Sequence, residues 1–296
     1  MASTAKRLIE QLSHPGPHDV LRGDLALVGL PGVVYTPRAG LNLPAVAFGH
    51  GWLQPPGRYR SLLRHLASWG IVTAAPATGR GPLPSHRLMA ADLRTTLDIV
   101  RKVRLGPDGI SVHPDRLGLA GHSIGGGAAV LAAAGPETER GRGRDTADGG
   151  RADNTDAADD VPHVNAVATV AAAQTMPPAT RAAADVTVPG LHLAAADDVV
   201  APATGNAEAI SKAWAGPVQL RTLPKATHLG VTEGYHWSQL LLQGKPQHSV
   251  QRTVRALFTA FFLTKLAGED TYREVFDADL KAARIDHDNR AAHQHT

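Results

Sequence analysis

The stretch Leu117-Gly-Leu-Ala-Gly-His-Ser-Ile-Gly-Gly-Gly-Ala-Ala-Val130 carries the reading of this chain. Residues 117–120 form a short apolar run of strand type, and residues 126–133 form a small-residue pattern that suits a helix. Between them Gly121, Ser123 and Gly125 spell G-x-S-x-G. On its own this motif describes any glycine-rich strand–helix turn. A strand before it and a helix after it are the setting of a nucleophile elbow. There the serine sits in a strained backbone conformation on a sharp turn, and the glycines let neighbouring chain pass close by. Its hydroxyl projects beside a helix N-terminus, whose dipole favours developing negative charge.

Outward from this stretch, short apolar runs alternate with helical patterns. Strands are predicted at residues 25–30, 32–35, 45–48, 71–75, 117–120, 164–171, 190–194 and 218–223. Helices are predicted at 58–69, with Leu62, Leu63 and Leu66 on one face, at 86–103 and at 206–214. Ser249 is placed as the cap of a last helix running through Val254, Leu257, Phe258, Phe261 and Leu266. This alternation predicts an α/β class with a mainly parallel central sheet flanked by helices, in a single domain over residues 1–296. One segment breaks the pattern: residues 136–160, PETERGRGRDTADGGRADNTDAADD, lack large apolar side chains and are expected to form a mobile surface insertion. The stretch after Ala267 is also polar, and from about residue 277 a polar tail is expected. His287, His293 and His295 fall there, as part of a frayed tail rather than a metal site.

Composition narrows the function. The chain has 296 residues, 43% of them hydrophobic, which is enough for a sizeable core and excludes a collagenous or wholly disordered chain. It has no cysteine, so disulfides, thiolate nucleophiles and Cys-ligated metals are out. A net charge of +3, with no basic stripe interleaved with aromatics, argues against nucleic-acid binding. No apolar run is long enough to span a membrane. In the first 20 residues Leu8, Ile9 and Leu12 are scattered among polar residues, so no secretory signal is read there and a cytoplasmic location is expected. Composition does not set the oligomeric state.

A serine hydroxyl needs a base. In the elbow setting the chain order is Ser, then Asp or Glu, then His. Downstream lies Leu191-His-Leu-Ala-Ala-Ala-Asp-Asp-Val-Val-Ala-Pro202, an apolar strand ending in two acids. Then comes Leu223-Pro-Lys-Ala-Thr-His-Leu-Gly230, where His228 closely follows the strand at 218–223. Asp198 is placed as the acid holding the His228 tautomer, and His228 as the base for Ser123. Asp197 is a rival acid, and His236 and His248 are rival bases. His122 is read as a packing residue and His192 as a core histidine. The oxyanion hole is assigned to the backbone N–H groups of Ile124 and of Trp52, the latter in Ala45-Val-Ala-Phe-Gly-His-Gly-Trp52. No cofactor and no metal is called for by this machinery.

These blocks resemble the α/β-hydrolases. They are most similar to the branch holding cutinase-like polyester hydrolases, platelet-activating-factor acetylhydrolases, chlorophyllases and dienelactone-hydrolase-like esterases. The matching pieces are FGHGW at 48–52, GHSIGGG at 121–127, ADDVVAP at 196–202 and KATHLG at 225–230, in like order over residues 33–276. The resemblance implies an α/β-hydrolase fold. It places the catalytic acid on Asp198, the histidine on His228, the nucleophile on Ser123 and the oxyanion aromatic on Trp52. The chain departs from the pattern in Ala172-Ala-Gln-Thr-Met-Pro-Pro178, where polyester hydrolases place a clamping tryptophan, and in lacking the cysteine of dienelactone hydrolases.

Too few residues separate Ala172 from Val188 for a helical cap domain, so no large cap and a fairly open cleft are expected. Trp52, Gln174, Met176 and Trp237 are the candidate substrate contacts. Residues 230–248 could form an apolar wall or pack onto the core. The expected activity is a serine carboxylic-ester hydrolase, working through an acyl-enzyme on a small-molecule or polymeric, apolar ester. An acyltransferase using the same intermediate and a non-catalytic ligand-binding relative are the alternatives.

Overall fold

The computed structural model describes residues 2–135, 161–242 and 244–293. The insertion expected at 136–160 and His295 lie outside them. Nine strands form one sheet: β1 (Val20–Asp24), β2 (Gly32–Pro37), β3 (Leu43–Gly49), β4 (Val72–Pro76), β5 (Val112–His122), β6 (Val164–Val170), β7 (Gly190–Ala195), β8 (Val218–Leu223) and β9 (Arg284–Asp288). Their spatial order is β1-β2-β4-β3-β5-β6-β7-β8-β9. The six from β4 to β8 run parallel; β2 is antiparallel to both of its neighbours, β1 and β4, and the edge strand β9 is antiparallel to β8. The mainly parallel sheet expected from the alternation is therefore present.

Both faces are covered. On one, α1 (Ala2–Leu12), α2 (Arg60–Ser68) and α7 (His248–Phe262) bury a core containing Leu12, Leu63, Leu66, Phe258 and Phe262. On the other, α3 (His86–Lys102), α4 (Ile124–Ala134), α5 (Ala179–Ala183) and α6 (Ala207–Ala213) bury Leu93, Leu97, Val130, Ala182 and Ile210. Alternation along the central strands feeds both cores: Val46 and Phe48 of β3 enter the first, Ala45 and Ala47 the second. Between β6 and β7 the only helix is the five-residue α5, so no cap domain stands there. No described helix is long and apolar enough to cross a membrane.

Several expectations are corrected. Residues 25–30 are not a strand: Leu25–Val28 is a 3₁₀ turn, capped by the Asp24 carboxylate accepting from Ala26 N–H and stopped by Gly29 at φ 88°. Leu8 and Leu12, read as scattered, lie with Ala5 on the buried stripe of α1. Ser249 lies inside the first turn of α7, and Gln247 holds the cap position without a side-chain cap bond. The polar stretch after Ala267 is not a frayed tail. It contains α8 (Glu274–Asp277) and then β9, which pairs with β8 with His287 opposite Leu220.

The cause of this order is Arg221. Its guanidinium is fully buried, and each of its five N–H groups has an acceptor. Nε donates to Gln219 Oε1, Nη1 to the Ala278 and Ala283 carbonyls, and Nη2 to those of Val275 and Phe276, at 2.7–3.1 Å. Backbone carbonyls of Val275, Phe276, Ala278 and Ala283 thus supply acceptors to a charge that could not otherwise be buried.

Candidate active site

The centre of the site is the turn between β5 and α4. Ser123 has φ 56° and ψ −129°, a conformation that side-chain-bearing residues rarely hold. Its neighbours hold it there. Ser123 N–H donates to Val170 O at the end of β6, and Ala173 N–H donates to Ser123 O. The flanking glycines are required by space. A Cβ on Gly121 would lie 2.3 Å from Gly125 O, and one on Gly125 would lie 2.3 Å from the Gly49 carbonyl. The turn, the helix start and the end of β3 therefore touch backbone to backbone.

Three side chains from the carboxyl ends of β5, β7 and β8 converge. His228 Nε2 lies 2.9 Å from Ser123 Oγ, and His228 Nδ1 lies 2.7 Å from Asp198 Oδ2. A carboxylate can only accept, so Nδ1 carries the ring proton. Nε2 is then bare and accepts from the serine hydroxyl. The second Asp198 oxygen, Oδ1, accepts from Val200 N–H at 2.9 Å and Ala201 N–H at 2.8 Å. Burial pushes this carboxyl's pKa up. The bond and charge of His228, with the two amides, outweigh burial and hold the pKa below the ordinary carboxylate value. Asp197 is exposed, and its amide instead bonds Ala226 O. Of the rival histidines, His236 caps the 3₁₀ turn Trp237–Leu240 and His248 is exposed in the first turn of α7.

The two proposed oxyanion donors have free amides. Among the described residues neither Trp52 N–H nor Ile124 N–H donates a hydrogen bond; Ile124 is the first residue of α4. The Trp52 loop is held on several sides. His50 Nε2 donates to Thr78 O, Gln54 Nε2 donates to Trp52 O, and the Trp52 indole N–H donates to Pro82 O.

Gln174, a candidate substrate contact, has its side-chain amide bonded within the protein. Its side-chain nitrogen donates to Thr180 Oγ1 and Gly205 O, and its oxygen accepts from Thr180 N–H, so the amide has no hydrogen left for a ligand. It ties the loop after β6 to the loop after β7. Met176 and Trp237 are exposed on loops at the same edge of the sheet as Ser123. Residues 230–248 divide: Val231 and Leu242 are buried, whereas Tyr235, Trp237, Leu240 and Leu241 face outward. Tyr235 and Leu240 line a shallow groove of about 950 Å³ beside Thr227. Ser123 itself is only 4% exposed.

Sequence reasoning missed Gln247. Its Oε1 accepts from Thr227 N–H and its Nε2 donates to Lys225 O, while Gln247 N–H donates to Gly230 O. It pins both sides of the His228 loop. Its place just before a helical pattern was the one available signal. Among the described residues no group of His, Asp and Glu side chains is arranged to hold a metal ion. Neither models of known protein families nor curated proteins match the chain.

Proposed function

We propose that this protein is a serine hydrolase of the α/β-hydrolase fold that cleaves carboxylic esters through a covalent acyl-enzyme. The observation that carries this reading is the unbroken chain Ser123–His228–Asp198, with both imidazole nitrogens committed and spacings of 2.9 and 2.7 Å. Among the described residues the amides of Ile124, at the start of α4, and of Trp52, on the loop after β3, donate no hydrogen bond.

In this mechanism Ser123 Oγ attacks the ester carbonyl carbon while its proton passes to His228 Nε2. The imidazolium is stabilised by Asp198, which stays ionised because its pKa is held low. Ile124 and Trp52 N–H groups receive the charge that develops on the carbonyl oxygen. The C–O bond to the alcohol breaks, and the alcohol leaves with the Nε2 proton. Water then gives a proton to Nε2 and attacks the acyl carbon; the acyl–Oγ bond breaks, Ser123 Oγ takes the Nε2 proton back, and the carboxylic acid leaves. No step calls for a cofactor. The substrate side supports an apolar ester: Leu83, Met176, Val199, Trp237, Leu240 and Leu241 are exposed on the loops that leave the carboxyl ends of β4, β6, β7 and β8.

The test is turnover of p-nitrophenyl esters of increasing acyl length, with fluorophosphonate labelling in parallel. Wild type is expected to label and to turn over. Ser123→Ala is expected to lose labelling and at least about a thousandfold in kcat while staying folded. Undiminished turnover by Ser123→Ala refutes the reading.

A further inference from the structure

His122 precedes the nucleophile, yet its side chain points away from it into a second buried chain of hydrogen bonds. His122 Nε2 lies 2.8 Å from the His228 carbonyl oxygen, and its Nδ1 lies 2.7 Å from Tyr59 Oη. Tyr59 Oη is 3.0 Å from Gly51 N, and Gly51 is the neighbour of Trp52. Chemistry fixes the direction of every bond. The His228 carbonyl can only accept, so His122 Nε2 carries the proton. In the neutral ring Nδ1 is then bare and takes the Tyr59 hydroxyl hydrogen. The Tyr59 oxygen accepts from Gly51 N–H. Tyr59 and His122 are fully buried and His228 nearly so, so water has little room to replace a lost partner. Space is equally committed: a Cβ on Gly51 would lie 2.7 Å from His122 Nδ1, and the His122 and His228 rings pack at 4.9 Å.

We infer that His122 and Tyr59 are positioning residues that lock the loop of the oxyanion donor and the catalytic histidine into one unit. This rests on the ester-hydrolase reading above. The chain reaches the two parts of the machinery that stand on separate loops, the Trp52 amide after β3 and the His228 ring after β8. Holding His228 by its own carbonyl fixes where its ring starts, and holding Gly51 fixes where the next amide starts. Displacements of about 1 Å between such groups cost about a hundredfold in rate. His122 is suited to the task because it stays neutral: burial, followed by the neighbouring His228, pulls its pKa down to about 3.

The test uses three variants of the full chain. The amide nitrogen of a glutamine reaches about as far as histidine Nε2, and that of an asparagine about as far as Nδ1. His122→Asn therefore loses the donor to the His228 carbonyl, and His122→Gln keeps one. Against a p-nitrophenyl ester, His122→Asn is expected to lose about tenfold to a hundredfold in kcat with KM within about twofold, and His122→Gln to recover most of that loss. Tyr59→Phe, which removes a single oxygen, is expected to lose about tenfold in kcat. Imidazole ¹⁵N shifts of the wild type are expected to report a neutral His122 ring protonated on Nε2 from pH 5 to 8. Equal losses in the Asn and Gln variants, a change in thermal stability with kcat untouched, or a ring protonated on Nδ1 overturns the inference. A wild type that neither labels with fluorophosphonate nor turns over brings down the hydrolase reading and this inference with it. An active wild type matched by all three variants brings down this inference alone.

Discussion

The turn at Ser123 and the arm after Phe262 are built against the same sheet by opposite means. At the turn, backbone meets backbone because side chains are missing at Gly49, Gly121 and Gly125. At the arm, one long side chain reaches out: Arg221 gathers four carbonyls and a glutamine oxygen, the carbonyls lying 54 to 62 residues further along the chain. The first device holds a strained serine at the proposed catalytic centre. The second holds an edge strand in place and stands outside the chemistry. A cluster of glycines is visible locally, whereas the needs of a buried cation are met by whichever carbonyls the fold brings near.

The contrast can be broken most sharply at Gly125. Gly125→Ala puts a carbon 2.3 Å from the Gly49 backbone, where neither chain has a flexible end to yield. A loss of about 4 kcal/mol or more is expected, together with loss of the proposed esterase activity and of fluorophosphonate labelling, read by urea unfolding and kinetics. Arg221→Met comes next. It strips donors from four carbonyls, and a loss of about 3 kcal/mol is expected with kcat unchanged. A fall in kcat alongside stability would show that the two regions are one mechanical unit.

A third effect is spread across both faces of the sheet. Burial pulls the pKa of His122 and His192 down to about 3 and that of His65 to about 4, from 6.5. The unfolded chain thus binds more protons than the folded one below pH 6.5. Stability is full above that value and falls as pH drops toward 4, by up to about 1.4 kcal/mol per pH unit for each ring. Urea midpoints between pH 7 and 4.5 check this, and His192→Phe is expected to flatten the slope by about one proton. A pH-independent midpoint would mean that these rings take up protons in the fold as readily as in the unfolded chain. The smallest effect is expected at Gln174. Gln174→Ala removes bonds to Thr180 and Gly205 and should cost about 1 kcal/mol with KM unchanged. A raised KM would show that it also contacts substrate.

Much of the central sheet was legible because buried parallel strands are continuous apolar runs, and the run at 45–48 lies inside β3. The edges were not. β1 and β9 are half-exposed, with Arg22, Asp24, Asp286 and Asp288 among their residues, and edge strands of this kind carry no apolar signature. The N-terminal helix was missed because its stripe is only Ala5, Leu8 and Leu12, which looks like scatter until α7 and α8 lie against it. In the site, Ser123 and His228 followed from motif and strand end. Gln247 and Tyr59 did not, since a polar residue in a loop or a tyrosine in a helical pattern carries no mark of a partner 20 or 63 residues away.

From the sequence alone came the elbow at Ser123, the order serine, acid, histidine, and the alternation that makes a parallel sheet between two helical layers. These are local facts, written in residue size and polarity along a few positions. Tertiary structure alone settled which of two adjacent acids meets the imidazole. Asp197 gives its amide to Ala226 and its side chain to solvent, while Asp198, one residue on, is turned inward to His228. It also settled that His122 bridges two loops and that the polar C-terminal segment is a strand. Each depends on the direction in which a side chain leaves the backbone and on what has been folded opposite it. Neither is a property of the residue or its neighbours in the chain.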